Sequence, residues 1–128
     1  MKNNNKLNIA IIGLGNIGSY LYKYLRTNKE ILSKKNNCVP NIIFVSAKNR
    51  NRKRNVKINK KKWLKNYLDA TKSKNVDIIV ELIGGAEGPA KKLVFNALKN
   101  KKHVVTANKA LIAKYGDQLA KIAEKNKV

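Results

Sequence analysis

The sequence predicts an α/β fold, a doubly wound parallel sheet with helices on both faces. Three observations predict it. Short, near-continuous apolar runs recur along the chain, as expected of strands covered on both faces. Stretches with apolar residues at helical spacing separate them, and such alternation implies right-handed βαβ units. The first apolar run, Leu7–Ile12, enters Gly13-Leu14-Gly15-Asn16-Ile17-Gly18 directly, and a helical pattern follows. That strand–turn–helix setting turns a common glycine spacing into a dinucleotide-binding fingerprint of the Rossmann type.

The elements follow in order. Leu7–Ile12 is the first strand. Ile17, Leu21, Tyr24, Leu25 and Leu32 predict one helix from Asn16 to about Leu32. Asn36, Asn37 and Pro40 predict a turn, and Ile42–Ser46 a second strand. The polar, basic stretch Ala47–Asn59 reads as a loop. Trp63, Leu64, Tyr67 and Leu68 fall at i, i+1, i+4, i+5 and predict a short helix. Asp77–Ile83 is a third strand, ended by Gly84-Gly85. Pro89 suits the first turn of a helix whose buried stripe is Ala90, Leu93, Val94, Ala97 and Leu98. Lys102–Thr106 is a fourth strand, and Leu111, Ile112, Tyr115, Leu119, Ile122 and Ala123 mark a last helix. Residues 1–128 thus read as one dinucleotide-binding domain. A further strand would be due after Val128, so the sheet is expected to be incomplete at its C-terminal end.

In the fingerprint, Gly13 allows the tight turn, Gly15 lets backbone approach a pyrophosphate, and Gly18 lets the helix pack close. The amides of Asn16, Ile17 and Gly18 open the helix, where free N–H groups and the helix dipole favour an anion. NAD-binding versions carry a carboxylate at the end of the second strand for the ribose hydroxyls. Here that strand runs into Ala47-Lys48-Asn49-Arg50, and no Asp or Glu occurs between Glu30 and Asp69. Lys48 and Arg50 stand where a 2′-phosphate would sit, which favours NADP over NAD.

Composition bounds the partners. The chain carries 29 Lys and Arg against 7 Asp and Glu, a formal net charge of +22. The excess is nearly all lysine, spread along the chain with many Asn and Ile, residues of A/T-rich codons. Nucleic acid is therefore not the expected partner, although salt-sensitive sticking to polyanions is. The single Cys38 excludes an internal disulfide. One Cys and one His make no zinc site of the usual kind, so no metal is expected, and His103 reads as structural. No signal peptide and no run of about 20 apolar residues are present, which predicts a cytoplasmic chain without a membrane partner.

Two more segments end where a parallel sheet binds ligands, outside the carboxyl ends of its strands. In the first, Gly84 and Gly85 let backbone approach a ribose or nicotinamide, and Glu81, a carboxylate in an apolar strand, reads as a structural hydrogen-bonding group. In the second, Thr106 closes the fourth strand, Asn108 can cap the next helix, and Lys109 lies in its first turn against the helix dipole.

These residues carry a resemblance. The chain resembles the N-terminal nucleotide-binding domain of homoserine dehydrogenase through three blocks: Gly13–Gly18, Val80–Gly85 with Glu87–Ala90, and Lys102–Leu111. Ser46–Arg50 is similar to the family's segment after its second strand, which usually reads Ala-Arg-Asp. The resemblance implies oxidation of L-homoserine to L-aspartate 4-semialdehyde, or the reverse, with NAD(P), a step toward threonine, methionine and isoleucine. It implies that Gly13–Gly18 bind the dinucleotide and that Ala47, Lys48 and Arg50 lie near the adenosine ribose. Gly84, Gly85 and Thr106 join the cofactor-binding set. Lys109 matches the family lysine near the nicotinamide and the reacting oxygen, and is the candidate catalytic residue. The family's catalytic and dimerisation domain, with a second lysine, substrate carboxylates and a metal-ion site, has no counterpart in these residues. Homoserine binding and homo-oligomerisation are thus expected only with that domain, and the chain alone is expected to be inactive. A non-catalytic NADP(H)-sensing module and a basic nucleic-acid-associated protein are the competing classes.

Overall fold

A computed structural model of the chain describes residues 5–128. Four parallel strands, β1 (Lys6–Ile12), β2 (Val39–Ser46), β3 (Ile78–Glu81) and β4 (His103–Thr106), form one sheet in the order β2-β1-β3-β4. The helices are α1 (Asn16–Thr27), α2 (Lys29–Asn36), α3 (Asp69–Lys72), α4 (Pro89–Lys99) and α5 (Lys109–Asn126). The predicted α/β class and the four strands are observed.

Strand alternation sorts the core. On β1, Ile9 and Ile11 pack with Leu14, Tyr22, Ile42 and Val45 on the α1 face. Ala10 and Ile12 pack with Ile79, Leu93 and Ala97 on the α4 face. A third cluster, Val94, Leu98, Leu111 and Leu119, joins α4 to α5. A fully buried Ile or Leu contributes about 1.5–3 kcal/mol, so the central strand, covered on both faces, anchors the turn that follows it.

Between β1 and α3 the structure departs from the expected elements at three places. The single helix predicted over 16–32 is two, because Asn28 breaks it at φ −101, ψ 15. Its backbone N–H and its side-chain amide both donate to the Tyr24 carbonyl, at 2.9 and 3.0 Å. The turn lies at Asn37, which takes the left-handed conformation, and Pro40 sits inside β2 paired with Leu7. Pro is tolerated there because β2 is an edge strand, where its missing N–H breaks no ladder.

The helix predicted over Trp63–Leu68 does not form. A 3-10 turn at Lys60–Lys62 leads Trp63 and Leu64 alongside the edge of β2, where Leu64 N–H donates to Val45 at 2.9 Å. The Lys62 ammonium covers the Ile42 carbonyl at 2.8 Å. Burial, then Arg26 and Lys29, lower the Lys62 pKa. Closing an exposed strand edge outcompetes a local helical preference. At the far side β4 has no second strand neighbour among the described residues, and Val105 is 55% exposed.

Candidate dinucleotide site

The glycine turn lies at the switch point of the sheet, where β1 is flanked by β2 on one side and β3 on the other. Its three glycines do different work. Gly13 has φ +107, and a Cβ there would stand 2.5 Å from the Leu82 carbonyl oxygen. Its N–H donates to Ser46 at 2.9 Å, tying the turn to the end of β2. A Cβ on Gly18 would overlap the Gly13 carbonyl oxygen. Gly15 has open space where its Cβ would be. It caps α1 with no side-chain hydrogen bond, and the first turn of α1 has no acidic residue. Leu14 is buried in the core, whereas Gly15, Asn16 and Ile17 are exposed.

Beside Gly15 lies a cleft of about 340 Å³, walled by Leu14–Asn16, Ser19, Tyr20, Lys23 and Arg52–Val56. Every charged side chain on it is a cation: Lys23, Arg52, Lys53 and Arg54. Arg54 folds this wall. Its Nε donates to Leu14 O at 2.9 Å, and its terminal nitrogens to the carbonyls of Asn49 (2.7 Å), Arg50 (3.1 Å) and Arg52 (3.0 Å). Partial burial and the nearby Arg52 lower its pKa. The guanidinium groups of Arg50 and Arg54 lie 5.3 and 5.6 Å from the centre of the Trp63 ring. Ala47 packs against the α1-face core, while Lys48 and Arg50 are exposed and do not line the cleft. Sequence reasoning saw the basic run but missed Arg54. Its only signal was one more cation among many, and the contact that singles it out spans 40 residues.

On the other side of β1, the ends of β3 and β4 meet. Glu81 is fully buried, and its carboxylate accepts from Ile83 N (2.7 Å), Gly84 N (3.0 Å) and the Thr106 hydroxyl (2.5 Å). This agrees with the structural role read from the sequence. These bonds turn the chain away after Glu81, so β3 is shorter than the predicted Asp77–Ile83. Asn108 caps α5 as expected, its side-chain oxygen accepting from Leu111 N at 3.0 Å. Its amide donates to Gly85 O at 2.6 Å. Gly84 and Gly85 have φ of +89 and +83. Lys109 is exposed in the first turn of α5. The predicted residues therefore form two groups, Gly13–Gly18 with the loop after β2, and Gly84, Gly85, Thr106 and Lys109 beyond β3.

Glu87, in the loop before α4, binds α5. Its carboxylate meets Lys114 at 2.6 Å, Lys91 at 3.3 Å and the Tyr115 hydroxyl. The hydrogen bonds from Lys114 and then Tyr115 lower its pKa from 4.5 to about 2. A depressed carboxylate stabilises the fold fully above its ordinary pKa, and that contribution fades as pH falls from 4.5 toward 2. A carboxyl NMR titration of Glu87 should therefore have its midpoint near 2. Lys114→Ala should move that midpoint upward, and an ordinary midpoint in the parent would refute the network.

Among the described residues no group of three or more His, Cys, Asp or Glu could hold a metal ion, and no helix is long and apolar enough to cross a membrane. Comparison with known proteins adds the following. The family model described as the NAD-binding domain of homoserine dehydrogenase matches residues 13–128. A homoserine dehydrogenase of Bacillus subtilis (strain 168) is 35% identical over 120 residues, 94% of this chain and 28% of that protein. A crystal structure of S. aureus homoserine dehydrogenase superposes with a TM-score of 0.86 at 36% identity, over 97% of this chain and 32% of that one. A hyperthermophilic archaeal homoserine dehydrogenase in complex with NADPH shares the fold, with a TM-score of 0.71 at 20% identity, over 96% of this chain and 42% of that one. The chain thus spans about 28% of the length of the curated relatives it matches.

Proposed function

Because the chain belongs to the homoserine dehydrogenase family, through that family's NAD-binding domain, we propose that it holds the nicotinamide cofactor of that oxidoreductase and prefers NADP to NAD. The observation that carries this is the open face of Gly15, at a helix N-terminus that no side chain caps, beside a cleft whose charged side chains are all cations. A pyrophosphate suits that position, since it meets backbone N–H groups and the positive end of α1. The residues fit a phosphorylated ribose as well. The loop from Ala47 to Arg54 offers Lys48, Arg50, Arg52 and Lys53 and no carboxylate.

The nicotinamide, when bound, supplies or accepts the hydride that interconverts L-homoserine and L-aspartate 4-semialdehyde. In this reading Gly84, Gly85 and Thr106 would hold the nicotinamide half and Lys109 would serve the reacting oxygen, as the resemblance implies. Proton transfer needs a group within hydrogen-bond reach of the substrate hydroxyl. Orienting the substrate, worth about 7–11 kcal/mol of the barrier, needs a second wall. In this reading a substrate-binding part such as the longer relatives carry supplies both, and these 128 residues bind cofactor without turning over homoserine.

The test is a fluorescence titration at fixed ionic strength, since a +22 chain attracts any anion. NADPH should bind about tenfold more tightly than NADH, because a charge-assisted hydrogen bond contributes about 1.5–3 kcal/mol. Lys48→Asp should narrow or reverse the gap. Equal affinities in the parent would overturn the preference for NADP.

A further inference from the structure

Glu81 closes a ring of hydrogen bonds between two loops. One carboxylate oxygen takes the N–H groups of Ile83 and Gly84, at 2.7 and 3.0 Å, and the other takes the Thr106 hydroxyl at 2.5 Å. Thr106 Oγ1 in turn accepts from Asn108 N at 3.0 Å, and the Asn108 amide returns to Gly85 O at 2.6 Å. The ring joins the loop after β3 to the start of α5. All of Glu81's hydrogen-bond partners are uncharged. Burying a carboxylate with no counterion is costly. An apolar residue would fill the volume but would leave the N–H groups of Ile83 and Gly84 and the Thr106 hydroxyl without this acceptor. The ring fixes the conformation of a loop whose Gly84 and Gly85 both have positive φ, positions at which glycine is otherwise the freest residue.

Strand order says which part of a ligand these loops meet. With the pyrophosphate at the turn after β1, the adenosine half lies toward β2 and the other half toward β3 and β4. Resting on the dinucleotide reading above, we propose that Glu81 is a positioning residue for the nicotinamide half. It acts through Gly84, Thr106 and Asn108, holding the β3 loop and the first turn of α5, with Lys109, ready before the cofactor arrives. Such preorganisation removes part of the ordering cost of binding.

The experiment separates the two halves of the cofactor. Parent and variant chains are titrated with NADPH and with adenosine 2′,5′-bisphosphate, at one ionic strength. In the parent, NADPH binds more tightly than the bisphosphate. Glu81→Gln keeps the volume and one acceptor but presents an amide N–H to the Thr106 hydroxyl, leaving that hydroxyl without its acceptor. It should lower NADPH affinity about tenfold while the distant bisphosphate site changes by less than about twofold. Asn108→Ser, which keeps an acceptor to cap α5 but removes the amide that holds Gly85 O, should give the same split and decides the matter if Glu81→Gln does not fold. Equal losses for both ligands, or no loss for either, would overturn the positioning role and leave the dinucleotide reading standing. A parent that binds both ligands equally tightly would also overturn it, since the loops would then add nothing. A parent that binds neither would overturn the dinucleotide reading itself.

Discussion

Gly18→Ala should lower the thermal midpoint by roughly 4–8 °C. Two effects compete at this position. Alanine is the better helix former by about 1 kcal/mol, and Gly18 lies in the first turn of α1, so propensity alone predicts stabilisation. Against it, the new Cβ overlaps the Gly13 carbonyl oxygen. That oxygen is backbone, in a turn pinned on both sides. Gly13 N–H is bonded to Ser46, and the Leu82 carbonyl fills the space a Cβ on Gly13 would need. No rotamer change relieves the clash, so α1 must move off β1 and open the cluster around Ile11, Leu14 and Tyr22. Overpacking a well-filled core costs about 1–3 kcal/mol, and more where backbone must shift. For a chain of this size each kilocalorie moves the midpoint by a few degrees, between about 2 and 8 °C. Sterics therefore win. A melt followed by circular dichroism decides it, and an unchanged or raised midpoint would show that the helix approaches the turn less closely than described.

Gly15→Val, three residues earlier, should do the reverse and abolish cofactor binding while the fold survives. Apart from Gly15 and its two chain neighbours, no protein atom lies within 4 Å of the position its Cβ would take, so the branched side chain points into the space assigned to the pyrophosphate. The cost to the fold is that of exchanging glycine for valine as helix cap, on the order of 1 kcal/mol or less. The cost to binding is larger. Displacing the pyrophosphate from the α1 amides forfeits several charge-assisted hydrogen bonds, each worth about 1.5–3 kcal/mol, so NADPH affinity should fall by more than about 100-fold. Circular dichroism should match the parent. A variant that still titrates like the parent would show that this turn holds no dinucleotide. The two substitutions form a pair, because glycines of the same motif are retained for different reasons, one for packing and one for a ligand.

Much of this was legible in the residues. The apolar runs of β1 and β3 and the stripe of α4 were readable directly, because burial on both faces leaves few polar positions; β4 was readable as an apolar run although its outer face is exposed at Val105. The break at Asn28 was not legible. The apolar spacing from Ile17 to Leu32 runs through it, while the side chain of Asn28 competes for the Tyr24 carbonyl. The Trp63–Leu68 segment misled for a related reason. Its apolar residues do reach the core, but through backbone pairing with an edge strand distant in sequence.

The site divides along the same line. By itself the sequence determined the glycine turn, the missing carboxylate after β2 and the cap at Asn108. Each is a local pattern in which a few neighbouring side chains or backbone angles carry the meaning. Only the tertiary structure decided that Gly13 lies against the Leu82 carbonyl, that Arg54 folds the cleft wall onto Leu14, and that Glu81 joins two loops through Thr106. Those contacts connect residues 25 to 69 positions apart in sequence, counting the Gly13–Leu82 approach. Spacing along a chain records the period of one element, whereas distances between elements are set by how their buried faces pack.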